Sequence, residues 1–276
     1  MSNLITRTIT GIIFISIILF SFYFSIESFV GLIVLIQILA SYEFFKMIKA
    51  KYPSISHIKS AITNVISFII LVFGYFYCDK LEFISILCLT PFLILFISEL
   101  YSKHTSPLTN MAISIFPAIL VSLPLFTMIL NSTNNNSGLF NYSYHISLSL
   151  FFIIWTNDTG AYISGITLGK HRLFERISPK KSWEGFFGGM LFSIIIAYVL
   201  SKFFIEMPFW KWGIAAFVVV ITGTYGDLFE SMIKRQLEIK DSGKILPGHG
   251  GILDRFDSIL FAAPFYYITI EILSRL

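Results

Sequence analysis

Between Glu230 and Asp257 the chain gathers ten charged residues, one histidine and four glycines. Bases come first, as Lys234-Arg235 and Lys240, followed by the turn Pro247-Gly-His-Gly-Gly251 and then by Asp254-Arg255-Phe-Asp257. Cations and a glycine-rich turn suit phosphate oxygens, because backbone N–H groups can approach them where no Cβ intervenes. Carboxylates suit a hard cation such as Mg²⁺, which is held by one or two of them together with substrate phosphates. The segment therefore reads as chemistry on a phosphorylated substrate with a metal ion.

Upstream, Asp227, Ser231 and Lys234 fall at i, i+4 and i+7, which on a helix places a carboxylate, a hydroxyl and an ammonium in one column. Asp254, Asp257 and Ser258 form a similar cluster at the start of the last apolar stretch. Asp158, within Trp155-Thr-Asn-Asp-Thr-Gly-Ala-Tyr162, sits near the middle of an apolar run. A carboxylate at that depth is costly unless paired, hydrated or metal-bound, so it is a functional candidate, with an ion pair to a base on another helix as the alternative. In Ser178-Pro-Lys-Lys-Ser-Trp-Glu-Gly185, Lys180 and Lys181 follow a proline and precede an apolar span. That places them at headgroup level, where they can meet anionic lipid phosphate. Lys170 and Arg172 serve equally well as topology signals. Ala161, Gly165 and Gly169 recur at helical spacing, a pattern for close helix packing rather than catalysis.

The elements that must carry these groups are set by composition. The 276 residues are 55% hydrophobic and 13% charged, with mean hydropathy +0.78, against roughly 25% charged in a soluble domain. An all-α polytopic integral membrane protein is expected, since a bilayer crossing takes roughly 20 apolar residues. Nine candidate spans lie near 8–24, 27–45, 61–78, 82–100, 111–130, 146–168, 184–204, 209–229 and 257–274. The first is not read as a signal peptide, because no small-residue cleavage site follows it and a second span comes at once. Pro117 and Pro124 should kink the fifth span.

With the amino terminus in the cytoplasm, sixteen of the twenty Lys and Arg residues fall in cytoplasmic segments, leaving Lys80, Lys202, Lys211 and Arg275 outside. This follows the positive-inside rule, and an even number of spans would spoil it. The net charge of +4 thus reflects topology, and no nucleic-acid-binding signature is visible. Cys78 and Cys88 have neither metal nor disulfide spacing, and the Asn-x-Ser/Thr triplets between Asn131 and Ser143 carry no weight in an Asn-rich loop. There is no linker or repeat, so 1–276 reads as a single transmembrane domain, with 1–145 mainly scaffold and 155–260 carrying the chemistry. Residues 155–184 and 230–257 hold eighteen of the thirty-six charged residues.

The positions Ser231, Lys234-Arg235, Lys240-Asp241, Gly243, Pro247, His249-Gly250-Gly251, Asp254-Arg255 and Asp257 together resemble the signature of phosphatidate cytidylyltransferases, also called CDP-diacylglycerol synthases. Asn157-Asp158 and the 178–185 block also resemble motifs of that family, so the similarity covers about residues 155–260. The resemblance implies the conversion of CTP and phosphatidate to CDP-diacylglycerol and pyrophosphate, at a bacterial inner membrane with the active site facing the cytoplasm. On that reading Asp227 and Asp254 hold Mg²⁺, with Asp158 and Asp257 as second choices and a second cation left open. Lys234, Arg235, Lys240, Lys244 and Arg255 would contact the triphosphate, and His249 would donate a hydrogen bond beside Gly250 and Gly251. Ser231 and Asp241 would help bind substrate, and Lys180 and Lys181 would take the phosphatidate headgroup. Two other classes stay open: a related enzyme using CTP on a different lipid, and a transporter with Asp158 and Asp227 on an ion path. The sequence also leaves a homodimer open.

Overall fold

In hydrocarbon a backbone N–H or C=O has no water to turn to, so a chain this apolar crosses as helices that satisfy themselves. The computed structural model describes residues 3–78, 81–134 and 141–276, and among them nine helices account for nearly all regular structure. They are α1 (Asn3–Phe24), α2 (Ile26–Ile48), α3 (His57–Tyr77), α4 (Leu81–Leu100), α5 (Pro107–Ser132), α6 (Tyr144–Leu168), α7 (Trp183–Phe203), α8 (Phe209–Gln236) and α9 (Leu253–Ser274). The strands are short: β1 (Thr133–Asn134) pairs with β2 (Asn141–Tyr142), and β3 (Arg172–Phe174) with β4 (Ser178–Ser182), both antiparallel. Lys80 and the triplet 135–137 lie outside the described residues.

Eight of the helices are long and apolar enough to cross a membrane. The exception is α6, whose 25 residues suffice in length but include the polar run Thr156-Asn-Asp-Thr159. The protein is an all-α polytopic membrane protein, and the one long helix not apolar enough to count as a span carries Asp158. Between Pro117 and Leu123 the fifth helix adopts a π-helical turn, Ala118–Ser122. Proline lacks the N–H that an α-helix needs, and this turn lies between Pro117 and Pro124, where the sequence predicts a kink.

Helix α8 runs seven residues past its expected end at 229. Ser231 Oγ donates to Asp227 Oδ1 at 3.2 Å and Lys234 Nζ pairs with Glu230 Oε2 at 3.0 Å, so polar i,i+4 pairs carry the helix on. At about 1.5 Å per residue its 28 residues span roughly 42 Å, more than the ~30 Å hydrocarbon layer, so one end emerges. It stops where Glu238 turns to φ 59° and Ile239 N reaches back to Lys234 O at 3.0 Å.

The chain divides into two compact units. The first comprises Met1–Phe126 with Asp241–Arg255. In it α2 packs against α1 and α3, and α3 against α4 and the start of α5. Phe22 stacks on Phe29 at 4.5 Å. Buried polar pairs pin these helices together: Gln37 Nε2 donates to Ser122 Oγ at 2.7 Å, Ser60 and Ser114 hydroxyls bond at 2.8 Å, and Asn64 Nδ2 donates to Ser114 O at 2.8 Å.

The second unit comprises Thr127–Lys240 with Phe256–Leu276. Its core includes Trp212, Phe151, Phe256 and Tyr266, the last bonded through its hydroxyl to Ser149 Oγ at 2.6 Å. Helices α6 and α7 pack together extensively. Small residues permit it: a Cβ on Gly185 would stand 2.9 Å from Ala161 O, and one on Gly189 2.9 Å from Asn157 O. The stripe read from the sequence as packing thus meets a second stripe on α7. Replacing Gly189→Ala should therefore cost about 1–3 kcal/mol of stability through overpacking. Gly213→Ala in α8, where a Cβ would meet nothing within 4 Å, should be neutral or stabilising by up to about 1 kcal/mol. Thermal midpoints of the two purified variants in detergent check this contrast.

Candidate active site

In the second unit α6, the β3–β4 hairpin, α7, α8 and α9 enclose a cavity of about 290 Å³. Asp227 enters it from α8, and its Oδ2 lies 2.5 Å from Lys181 Nζ on β4. Ser231, one turn further along α8, steadies Oδ1 of the same carboxylate. From α6 come Asn157 and Asp158, with Asn157 Nδ2 3.5 Å from Asp158 Oδ1. Asn157 is buried, and its Oδ1 has no hydrogen-bond partner among the described residues. Lys180, Ser182 and Ser258 complete the polar part of the lining. Asp257, on α9, lies within electrostatic range of Asp227, Glu230 and Lys234, and its Oδ1 accepts from Ser258 N at 2.6 Å.

Local structure explains why Lys181 points inward. Glu184 accepts from the backbone N–H groups of Lys170 and His171 at 3.1 and 3.2 Å and from His171 Nδ1 at 2.6 Å. Trp183 N donates to His171 O at 2.9 Å, and Ser182 Oγ caps α7 by accepting from Gly185 N at 3.1 Å. The hairpin is thus tied at its base, and the serine and glutamate of the 178–185 block have a structural task. Arg235 Nε reaches Ile177 O at 3.5 Å at the far end of the same hairpin.

The glycine-rich loop belongs to the first unit. Asp254 Oδ2 accepts from Ser242 N and from Gly251 N, each at 2.9 Å. Leu246 N donates to Gly250 O at 3.0 Å, and Gly248 and Gly250 take φ of +77° and +89°, conformations that glycine adopts without strain. His249 rests against Gly11 of α1. Burial, reinforced by the nearby Arg255 charge, lowers the pKa of His249 from its ordinary value. The imidazole is therefore neutral around pH 7 and offers one N–H donor rather than a cation.

The helix carries Asp227, Ser231 and Lys234 at the spacing read from the sequence, and Lys234, buried and 9% exposed, is ion-paired with Glu230, 7% exposed, and within electrostatic range of Asp257. Lys181, assigned with Lys180 to a lipid headgroup on the resemblance, is paired with Asp227 of α8. Asp227 and Asp254 fall in different units, and the carboxylate that shares the cavity with Asp227 is Asp158. Lys180, Arg235, Lys240, Asp241, Lys244 and Arg255 are exposed. Glu43 of α2, which no motif in the sequence marks, is 1% exposed, and its Oε2 accepts from Leu253 N at 3.1 Å. The rule that singled out Asp158, an acid inside an apolar span, would have found it.

Among the described residues no three His, Cys, Asp or Glu side chains form a metal-ligating cluster. The donor set at the cavity nevertheless fits Mg²⁺, which takes one or two carboxylates and completes its shell with phosphate oxygens and water.

Residues 5–273 match the cytidylyltransferase family. A phosphatidate cytidylyltransferase of Staphylococcus epidermidis is 52% identical over 118 residues, 42% of this chain and 45% of the relative. Those of Staphylococcus haemolyticus and Staphylococcus aureus are 48% and 46% identical over 122 residues each, 44% of this chain and 46% of each relative. The matched stretches thus span less than half the length of these relatives. With the family match running over nearly the whole length, the chain belongs to the cytidylyltransferase family.

Proposed function

We propose that the protein transfers the cytidylyl group of CTP to phosphatidate, giving CDP-diacylglycerol and pyrophosphate. The observation that carries this reading is the Lys181–Asp227 pair in a cavity shared with Asp158, in a chain of this family. A phosphate monoester has its second pKa near 6, so the lipid phosphate is largely dianionic at neutral pH and needs little help from a base. Its oxygen forms a bond to the α-phosphorus of CTP, the bond from that phosphorus to the β-bridging oxygen breaks, and pyrophosphate leaves with the electron pair. What the protein must supply is neutralisation of charge and in-line positioning.

Lys181 and Lys180 are assigned to the phosphate oxygens that meet in the cavity. Lys181 is held by Asp227 until a phosphate replaces it as partner. Asn157 can hydrogen-bond a ligand through its unpartnered oxygen. Mg²⁺, held by Asp227 with Asp158 and with Asp257 close by, would draw charge off the triphosphate. Arg235 and Lys240 are proposed to bind the remaining nucleotide phosphates, and within the first unit Lys244, Arg255 and the His249-Gly250-Gly251 turn are proposed as phosphate-binding groups in their own right. The acyl chains stay in the bilayer, and the cytoplasmic side is assigned to the basic loops on the 16-to-4 distribution of Lys and Arg.

Purified protein incubated with phosphatidate, Mg²⁺ and cytidine-labelled CTP should move label into extractable lipid, with one pyrophosphate released per label. Label that remains in water, or that enters lipid equally well without phosphatidate, contradicts the proposal. Asp227→Asn should retain less than about a tenth of wild-type turnover, a loss of at least about 1.4 kcal/mol in transition-state stabilisation. Because Lys181 shares its cavity with Asp227, Lys181→Ala should lower kcat/KM at least about tenfold for both substrates, a charge-assisted contact being worth roughly 1.5–3 kcal/mol. An effect confined to phosphatidate would return Lys181 to a headgroup role. Orientation is checked in a Cys78→Ser, Cys88→Ser background, since both natural thiols are free. Glu175→Cys and Lys244→Cys should be shielded from a membrane-impermeant thiol reagent in intact cells, whereas Ile205→Cys should react. Ser242 is buried and would make a poor reporter.

A further inference from the structure

The loop from Ser242 to Gly251 is shaped by a residue two hundred positions away in sequence. Glu43 Oε2 accepts from Leu253 N at 3.1 Å and from Ser242 Oγ at 3.4 Å, while Asp254 takes the N–H groups of Ser242 and Gly251. Ser242 is therefore gripped by its side chain from α2 and by its backbone from α9. Two of the glycines fit this arrangement. A Cβ on Gly251 would stand 2.6 Å from Glu43 Oε2, and one on Gly243 would collide with Oε1. Both glycines leave the space that the carboxylate fills. Glu43 is 1% exposed, and its Oε1 has no hydrogen-bond partner among the described residues. A buried acid with so few partners is costly, and the return visible in the structure is a fixed loop.

We propose that Glu43 is a positioning residue for nucleotide binding: it moulds the Ser242–Gly251 loop so that Lys244 and the 248–251 turn are held in one conformation. The inference rests on the cytidylyltransferase reading for its functional arm and stands apart from that reading in its structural arm. Glu43 touches neither substrate; it acts through Ser242, Gly243, Gly251 and Leu253.

The test uses full-length protein in detergent with Glu43→Ala, Glu43→Gln and Ser242→Ala. Glu43→Ala should raise the KM for CTP at least about tenfold while that for phosphatidate in mixed micelles stays within about twofold. Glu43→Gln keeps an oxygen to accept from Leu253 N and Ser242 Oγ, and should restore most of the loss. The effects of Glu43→Ala and Ser242→Ala should be markedly less than additive, as for residues acting through one contact. Amide exchange supplies the readout independent of turnover: protection of 242–253 should fall at least about tenfold in Glu43→Ala, recover in Glu43→Gln, and stay unchanged in α6 and α7. If wild-type protein transfers no cytidylyl group, the functional reading fails and the exchange experiment still decides the clamp. Unchanged protection of 242–253 in Glu43→Ala, or equal rises in both KM values, overturns the proposal. Should Glu43→Ala not fold, Glu43→Gln and Ser242→Ala decide it: the clamp predicts a near-wild-type KM for CTP in Glu43→Gln and a raised one in Ser242→Ala, and the reverse pattern would contradict it.

Discussion

An acid placed in an apolar solvent must find a partner inside the protein, and this requirement orders most of what surrounds the polar residues of this chain. Asp227 finds Lys181 and Ser231, Glu230 finds Lys234 one turn along the same helix, and Glu43 and Asp254 find backbone N–H groups of one loop. Each pairing fixes a piece of backbone as a by-product. The hairpin is folded over the end of α8 by the first, α8 is prolonged by the second, and the glycine-rich loop is closed by the last two. The groups able to bind a phosphorylated ligand are thereby held in place before any ligand arrives, which lowers the entropic cost of positioning it.

Close approach of backbones supplies the rest. Gly185 and Gly189 of α7 meet Ala161 and Asn157 of α6, and in a bilayer such packing substitutes for the hydrophobic drive that lipid does not provide between helices. The consequence for function is direct, since Asn157 and Asp158 lie on the same stretch of α6 and line the cavity. Packing and chemistry share residues there. An added methyl group at Gly189 would press on Asn157 as well as on the helix pair.

Much of this was legible in the sequence. Hydropathy located the nine helices, most with ends displaced by a few residues and α8 by seven, although α6 is not apolar enough to count as a span, and the prolines of the fifth helix flank its π-helical turn. The i,i+4 relation of Asp227 and Ser231 follows from helical geometry alone. What the sequence concealed are partnerships set by tertiary folding. Lys234 chose Glu230 because a glutamate four residues before a lysine is the nearer partner once both are buried. Lys181 meets Asp227 on a hairpin tied by Glu184 and His171, and nothing in the spacing of Lys180 and Lys181 encodes that partner. Glu43 was passed over because it stands alone among apolar residues in a helix read as scaffold.

The central claim is that Asp227, relieved of Lys181 by phosphate, holds the divalent ion that accompanies CTP. It is tested most directly by replacing Mg²⁺ with Mn²⁺ and following bound metal by electron paramagnetic resonance in purified protein. With CTP present the account predicts a protein-bound Mn²⁺ signal in the wild type that is lost in Asp227→Asn, the variant remaining folded. A signal unchanged by Asp227→Asn would contradict the account and place the ion elsewhere.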